Sequence, residues 1–319
     1  MTQYPRIMGH EGSGYVRYAG KSVTSVSIGD PVLLSYTFCS TCHTCQASHP
    51  SYCEQFVPLN FGGRPTFTDA SGSPIPGSFF GQSSFASYSI VRASSLVNAS
   101  SLVSSRDDLA LFAPLGCGIQ TGSGTVVNAS GATPASTLVV TGLGGVGLSA
   151  VMGARIVGAR TIVGIDRVPM RLELARTLGA THVVDSSKLP EGKSLSDVVR
   201  DICDGVGPHI TVETSGAPPL IEAAVDFTRA KGSVLQVGAA PPGWELKLEV
   251  FSYLTQGKSY KGVVEGEANP PDYVPKMVQW YREGRFPVDK LVKFMKADEF
   301  KRGLHEMHTG ETIKPVILW

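Results

Sequence analysis

Four cysteines fall in one short segment, FCSTCHTCQASHPSYC: Cys39, Cys42, Cys45 and Cys53, spaced C-x2-C-x2-C-x7-C. Thiolates at this density can occupy all four corners of a tetrahedral zinc ion. Such a closed site shapes a loop and leaves no coordination position for a substrate. Two disulfides are the alternative. They need an oxidising compartment, and the sequence opens MTQYPRIMGH, without an apolar stretch for export. The expectation is therefore a reduced, cytoplasmic protein. His43 and His49 lie inside the segment and are expected to be solvated, because four thiolates already complete a metal site.

A second chemical signal follows downstream. Gly142-Leu143-Gly144-Gly145-Val146-Gly147 matches G-x-G-x-x-G between an apolar strand pattern and a helical one. Gly142 permits the tight turn, Gly144 lets backbone approach a pyrophosphate at the helix amino terminus, and Gly147 allows close helix–strand contact. The helix is expected to open at about Gly145. Asp166 ends the next strand pattern, 19 residues after Gly147, where a carboxylate can accept hydrogen bonds from a ribose diol. A 2′-phosphate would be repelled there, which favours NAD over NADP, although Arg167 follows directly. The alternative is a packing turn with no ligand.

These residues need elements to hold them. STLVVT (136–141), TIVGID (161–166), THVVD, HITVETSG, SVLQVGA and SYKGVV read as strands, with helices such as LSAVMGARIVGA and PMRLELARTLGA between them. Alternation of this kind predicts a doubly wound parallel sheet. The first third differs. It is rich in Gly, Ser and Pro, and SGYVRYAG, DPVLLSY and FASYSIV read as short strands. Before residue 118 the expected helix is SRDDLALFAPLGC, capped by Ser104 or Ser105. The tail has a helix in VPKMVQWYREG and an apolar strand, PVILW.

The 319 residues suffice for two domains, and 28 Lys+Arg against 27 Asp+Glu argue against a nucleic-acid or anionic-membrane partner. Residues 109 to 154 carry no charged side chain, but Pro114, Gly131, Pro134 and the glycines at 142 to 147 interrupt the stretch. It reads as the covered centre of a parallel sheet, not a membrane span. Cys203 reads as a small buried hydrophobe.

GHEGSGYV, the cysteine quartet, PLGCGIQTG, TGLGGVG with Asp166, VGAAP and TGETIKPVILW together resemble the zinc-dependent, medium-chain alcohol dehydrogenase family, over essentially the whole chain. PLGCGIQTG looks most like the aryl (benzyl) alcohol dehydrogenase branch. The resemblance implies an α/β protein: a GroES-like, mostly-β catalytic domain over 1–118, with a structural-zinc lobe at about 39–53. A Rossmann NAD-binding domain over 119–264 and a carboxy-terminal segment, 265–319, returning to the first domain would complete it. It further implies a catalytic zinc on His10 and Cys117, with Glu11 behind the metal and able to approach it. Thr121 falls where the family contacts the nicotinamide ring, and Val237 in the strip whose backbone meets the carboxamide. Arg171 falls near the adenosine ribose, and Lys314 where a basic residue meets the pyrophosphate. The implied partners are a small-molecule alcohol or aldehyde and further copies of the chain in a homo-oligomer.

One departure stands out. Family members carry a segment before GHE with the first zinc-binding Cys and a Ser or Thr of the proton relay. Met1 lies eight positions before Gly9, and no equivalent motif follows. Glu11 is the candidate third ligand, and the chain as written is expected to be a poor dehydrogenase. A truncation, an altered metal site and an inactive relative are the competing explanations. The expected chemistry is interconversion of a primary alcohol and its aldehyde with NAD. An aromatic or bulky substrate is favoured, since Ser35 is small where the family often places an aromatic pocket residue. A non-catalytic nucleotide-binding relative and a zinc-free reductase are the rivals.

Overall fold

The computed structural model describes residues 4–319. The chain divides into two compact units: one runs up to Gln120 and resumes at Glu267–Trp319, and the other is Thr121–Gly266.

In the first unit, β1 (Ser13–Tyr15), β2 (Pro31–Leu34) and β5 (Leu96–Asn98) form a small antiparallel sheet in the order β1-β2-β5. A separate hairpin pairs β3 (Pro65–Thr68) with β4 (Pro74–Pro76). The Leu34 amide bonds the Gly12 carbonyl at 2.9 Å, so the β1–β2 ladder reaches back toward His10 and Glu11. β2 in turn runs forward toward Cys39. One ladder thus carries both chemical segments. FASYSIV is not a strand. Tyr88 and Ile90 alternate with Ser87 and Ser89, yet both are exposed, and period-2 sequence makes a strand only where a neighbour supplies the ladder. The expected helix before residue 118 is present as Arg106–Leu111, and the Ser105 side chain caps it by accepting from the Asp108 amide at 3.0 Å.

The second unit is a six-stranded parallel sheet of β6 (Thr137–Thr141), β7 (Thr161–Asp166), β8 (His182–Asp185), β9 (Ile210–Glu213), β10 (Ser233–Gln236) and β11 (Ser259–Gly262). Its order, β11-β10-β9-β6-β7-β8, reverses direction between β6 and β9, the switch point of a doubly wound sheet. Every residue of β6 is buried, which explains its unbroken apolar and threonine run. The helix Gly145–Ile156 is buried over most of its length and carries no charge before Arg155. Helix Leu195–Ile202 opens on a capping box in which Ser194 and Asp197 satisfy each other's amides. The eight strand and helix patterns read from this half coincide with observed elements within a few residues.

The tail returns to the first unit with helix Pro270–Arg282, then β12 (Val292–Lys296), helix Phe300–Thr309 and β13 (Lys314–Leu318), the two strands running parallel. The sequence reading missed β12 and the second helix: β12 is a five-residue strand broken by two lysines, and the helix has only three large apolar residues, Phe300, Leu304 and Met307. Among the described residues no helix is long and apolar enough to cross a membrane.

Candidate functional site

The cysteine quartet is assembled. Its four sulfur atoms all lie within 4.8 Å of one another. The Cys39–Cys45 and Cys42–Cys53 separations are 3.9 and 4.0 Å. A disulfide needs about 2.05 Å. A tetrahedron with zinc–sulfur bonds of about 2.3 Å has edges of about 3.8 Å, so the metal reading fits and the disulfide alternative does not. Backbone amides of Thr41 and Cys42 point at Cys39 Sγ at 3.4 and 3.2 Å, and those of Cys39 and Gln55 at Cys53 Sγ, both at 3.4 Å. Donors aimed at sulfur suit thiolates. Without a cation the four differ: the Thr44 hydroxyl draws Cys42 down to about 6, while desolvation pushes Cys45 up to about 12. A dication would deprotonate all four together. His43 and His49 are exposed and stand outside the group.

His10 lies in an aromatic wall that sequence reading missed. Its ring stacks on Phe80 with centroids 4.7 Å apart and meets the edge of Phe79 at 5.5 Å. Phe61 packs on both phenylalanines at 5.9 and 5.2 Å, and Phe56 on Phe80 at 6.4 Å. The only signal available was the Phe79-Phe80 pair itself. Phe80 takes a left-handed backbone, φ 52°, between Ser78 and Ser83, which do the same. Burial lowers the pKa of His10, against the opposing pull of Glu11, so the imidazole is neutral and able to donate a lone pair. The Gln82 side chain holds the His10 carbonyl at 2.9 Å.

Glu11 accepts from the Gly118 amide at 2.8 Å and receives the Lys314 ammonium on both carboxylate oxygens. Burial alone would push its pKa up, but Lys314, His10 and the Gly118 amide hold it below the ordinary carboxylate value. Lys314, expected at a pyrophosphate, is thus committed to Glu11, 303 positions away in the chain. His10, Glu11 and Lys314 line a groove of about 1390 Å³ in the first unit. Cys117 joins the turn Ala113–Gly116 to the helix Gly118–Gly124. Among the described residues only the quartet gathers three or more ligand atoms around one point; His10, Glu11 and Cys117 do not, and the Glu11 carboxylate faces Lys314. Ser35 does not widen a pocket. It is fully buried, and its hydroxyl donates to the Gly116 carbonyl and accepts from Gln120 at 2.9 Å.

In the second unit the glycine turn has the form its motif requires. Gly142 has φ +82°, a Cβ on Gly147 would lie 1.8 Å from the Gly142 carbonyl oxygen, and one on Gly144 would meet nothing within 4 Å. The last fact leaves the space a pyrophosphate needs at the start of helix Gly145–Ile156, whose N-cap, Gly144, offers no side chain. Gly145 and Val146 supply the first helical amides. Asp166 is buried at the end of β7. Its Oδ2 accepts from the Leu143 amide at 2.7 Å, and its Oδ1 from the Arg167 and Val168 amides at 2.7 and 2.9 Å. Three of about four carboxylate lone-pair positions are filled. Arg171 approaches Asp166 to 3.8 Å. The Thr121 hydroxyl lies 3.4 Å from the buried Glu265, and the Val237 amide bonds the Glu213 carbonyl at 2.9 Å. Glu213 is a further residue that sequence reading passed over.

Comparison with known proteins agrees with both halves. Residues 1–101 match the model of the alcohol dehydrogenase GroES-like domain, and residues 145–283 that of the zinc-binding dehydrogenase. Geraniol dehydrogenase of Castellaniella defragrans is 38% identical over 322 aligned residues, covering 99% of this chain and 84% of that protein. The crystal structure of benzyl alcohol dehydrogenase from Acinetobacter calcoaceticus superposes with a TM-score of 0.91 at 38% identity, covering 99% of this chain and 85% of that one. An alcohol dehydrogenase zinc-binding domain protein from Burkholderia ambifaria gives 0.92 at 39%, covering 99% and 84%. With a GroES-like half, a Rossmann sheet and a four-thiolate lobe all in place, the chain belongs to the zinc-dependent alcohol dehydrogenase family of oxidoreductases.

Proposed function

We propose that the protein interconverts a primary, aromatic or otherwise bulky alcohol and its aldehyde, using NAD. The observation that carries this is the neutral His10 imidazole set against Phe79, Phe80 and Phe61, which offers a metal ligand and an apolar, π-rich wall in one place. When bound, zinc would supply Lewis-acid polarisation of an alcohol oxygen and NAD a hydride acceptor. His10 and Cys117 would hold the metal. Glu11, kept ionised by Lys314, adds a negative charge close behind it. Thr121 and the Val237 backbone would meet the nicotinamide. The glycine turn would receive the pyrophosphate, and Asp166, flanked by Arg171, the adenosine ribose. The Asp166 carboxylate disfavours a 2′-phosphate. Exposed Val250, Phe251 and Leu254 beside the terminal strand β11 support a homo-oligomer, and six cysteines without a disulfide support a reducing, cytoplasmic setting.

The test is turnover of benzyl-type alcohols against ethanol, with NAD and NADP, beside metal analysis. The proposal expects about two zinc per chain, faster turnover of the aromatic alcohols, and preference for NAD. A second reading, a nucleotide-binding relative with structural zinc alone, is favoured by the single metal group among the described residues. About one zinc per chain with NADH binding and no turnover would establish it.

A further inference from the structure

Glu213 is the last residue of β9 and is fully buried. A buried carboxylate is costly unless its oxygens are hydrogen-bonded. Here neutral donors from the loop after β9 and from the two neighbouring strands, β6 and β10, converge on it. Oε1 accepts from the Ser215 amide at 2.8 Å, from the Ser215 hydroxyl, and from the Thr141 hydroxyl of β6 at 3.2 Å. Oε2 accepts from the Gly216 amide at 3.0 Å and from the Gln236 side chain at 2.8 Å. Gln236 ends β10. Its amide nitrogen also donates to the Gly238 carbonyl, and its oxygen accepts from the Tyr260 hydroxyl of β11 at 2.7 Å. The Glu213 main-chain carbonyl takes the Val237 and Gly238 amides, both at 2.9 Å.

The loops so joined are in backbone contact. A Cβ on Gly216 would lie 2.3 Å from the Ala239 carbonyl oxygen, and one on Gly238 would lie 2.3 Å from the Gly216 nitrogen. Thr214 extends the assembly to the glycine turn, donating to the Gly142 carbonyl at 2.7 Å. All these groups sit at the carboxyl ends of the central strands, where open parallel sheets receive ligands. The order across the sheet assigns the parts: Asp166 ends β7, the glycine turn follows β6, and β9 and β10 come next on the far side. A dinucleotide laid along that edge runs from adenosine through pyrophosphate to nicotinamide.

We propose that Glu213 is a positioning residue, whose carboxylate fixes the loops after β9 and β10 as one surface for the nicotinamide half of the cofactor without touching it. The assignment rests on the dinucleotide reading above. Its geometric requirement is strict. A glutamine at 213 has one acceptor oxygen and one donor group, so it cannot accept from the Ser215 and Gly216 amides and from Gln236 together.

The test is Glu213→Gln, with NADH affinity measured by fluorescence titration and AMP affinity by competition. AMP occupies only the adenosine half. The expected result is NADH binding weakened at least about tenfold, the factor for one lost hydrogen bond to a charged group, with AMP binding changed less than about twofold. Amide exchange at Ser215, Gly216, Val237 and Gly238 should rise while the strands β6 and β7 stay protected. Unchanged NADH affinity overturns the proposal. So does an equal loss for NADH and AMP, which would mark Glu213 as a general support of the fold. If the variant is insoluble, Gln236→Met cuts one arm and leaves the carboxylate paired; NADH affinity equal to that of the wild type then overturns it. Wild-type protein that binds neither NADH nor AMP would instead refute the dinucleotide reading itself.

Discussion

Glu11 and Lys314 form the most consequential pair in the first unit, with side chains only 20% and 17% exposed. Ions this far from water are costly to separate, because removing one strands the other. Lys314→Met should therefore destabilise the protein by about 3 kcal/mol, read as a lower denaturant midpoint with unchanged slope. Adding Glu11→Gln to that variant should recover much of the loss, since the stranded charge disappears. If the double variant is less stable than the single one, the pair is not the source of the effect. This pairing was invisible in the sequence. The GHE and GETIKPV motifs each suggested a separate role, and nothing local indicates that a lysine near the carboxyl terminus closes onto a carboxylate near the amino terminus. Asp166 was legible for the opposite reason: its partners, the Leu143, Arg167 and Val168 amides, belong to the adjoining motif and its own turn.

Among the elements, the zinc lobe and the glycine turn separate what shapes the fold from what receives a ligand. The lobe has only a short helix, His43–Gln46, and one 3-10 turn, Pro50–Tyr52. Its reach into the rest of the unit includes the Tyr52 hydroxyl, which donates to Glu267 at 3.0 Å. So little packing cannot fix the loop without the metal. Cys45→Ser should lose one zinc per chain and admit protease cleavage within residues 39–53; retained zinc and protease resistance would count against the closed site. At the turn, Gly144→Ala should leave stability within about 0.5 kcal/mol and yet weaken NADH binding, because its Cβ enters only the space a pyrophosphate needs. Gly147→Ala meets the Gly142 carbonyl oxygen at 1.8 Å and should cost about 2 kcal/mol or more. Equal effects of the two on stability would refute this division of roles. The strands of the parallel sheet were legible because burial on both faces makes continuous apolar runs. FASYSIV misled because alternation records a face, not a partner.

At the scale of the whole molecule, the half built from βα repeats could be read from the sequence, since every strand pairing there except β6 with β9 joins strands consecutive in the chain. The first unit is assembled from segments up to about 300 residues apart, such as Glu11 with Lys314, and only its motifs were legible. The same contrast governs acid stability. His209 precedes β9, and its Nδ1 accepts from the Thr137 amide at 3.0 Å and faces the Thr137 hydroxyl at 2.8 Å, while Arg229 lies 2.6 Å from Nε2. Desolvation, then Arg229 and Arg160, hold its pKa below the ordinary 6.5, and Asp204 opposes them only in part. The folded state therefore favours the neutral ring. Below pH 6.5 the unfolded chain binds this proton first, so the contribution of His209 is complete above that pH and is lost as pH falls through the lowered folded value. Glu11, Asp108 and Asp197 are depressed carboxylates, and their contributions fade only in a later, more acidic step. Denaturant unfolding followed from pH 7.5 downward should show the histidine step first, beginning as the pH falls below 6.5 and ahead of the carboxylates. His209→Gln can still accept from the Thr137 amide and has no proton to gain, so its stability should fall less steeply in that window and run parallel to the wild type below it. Identical slopes in the two proteins would show that the Thr137–His209–Arg229 arrangement does not set the acid limit of the fold.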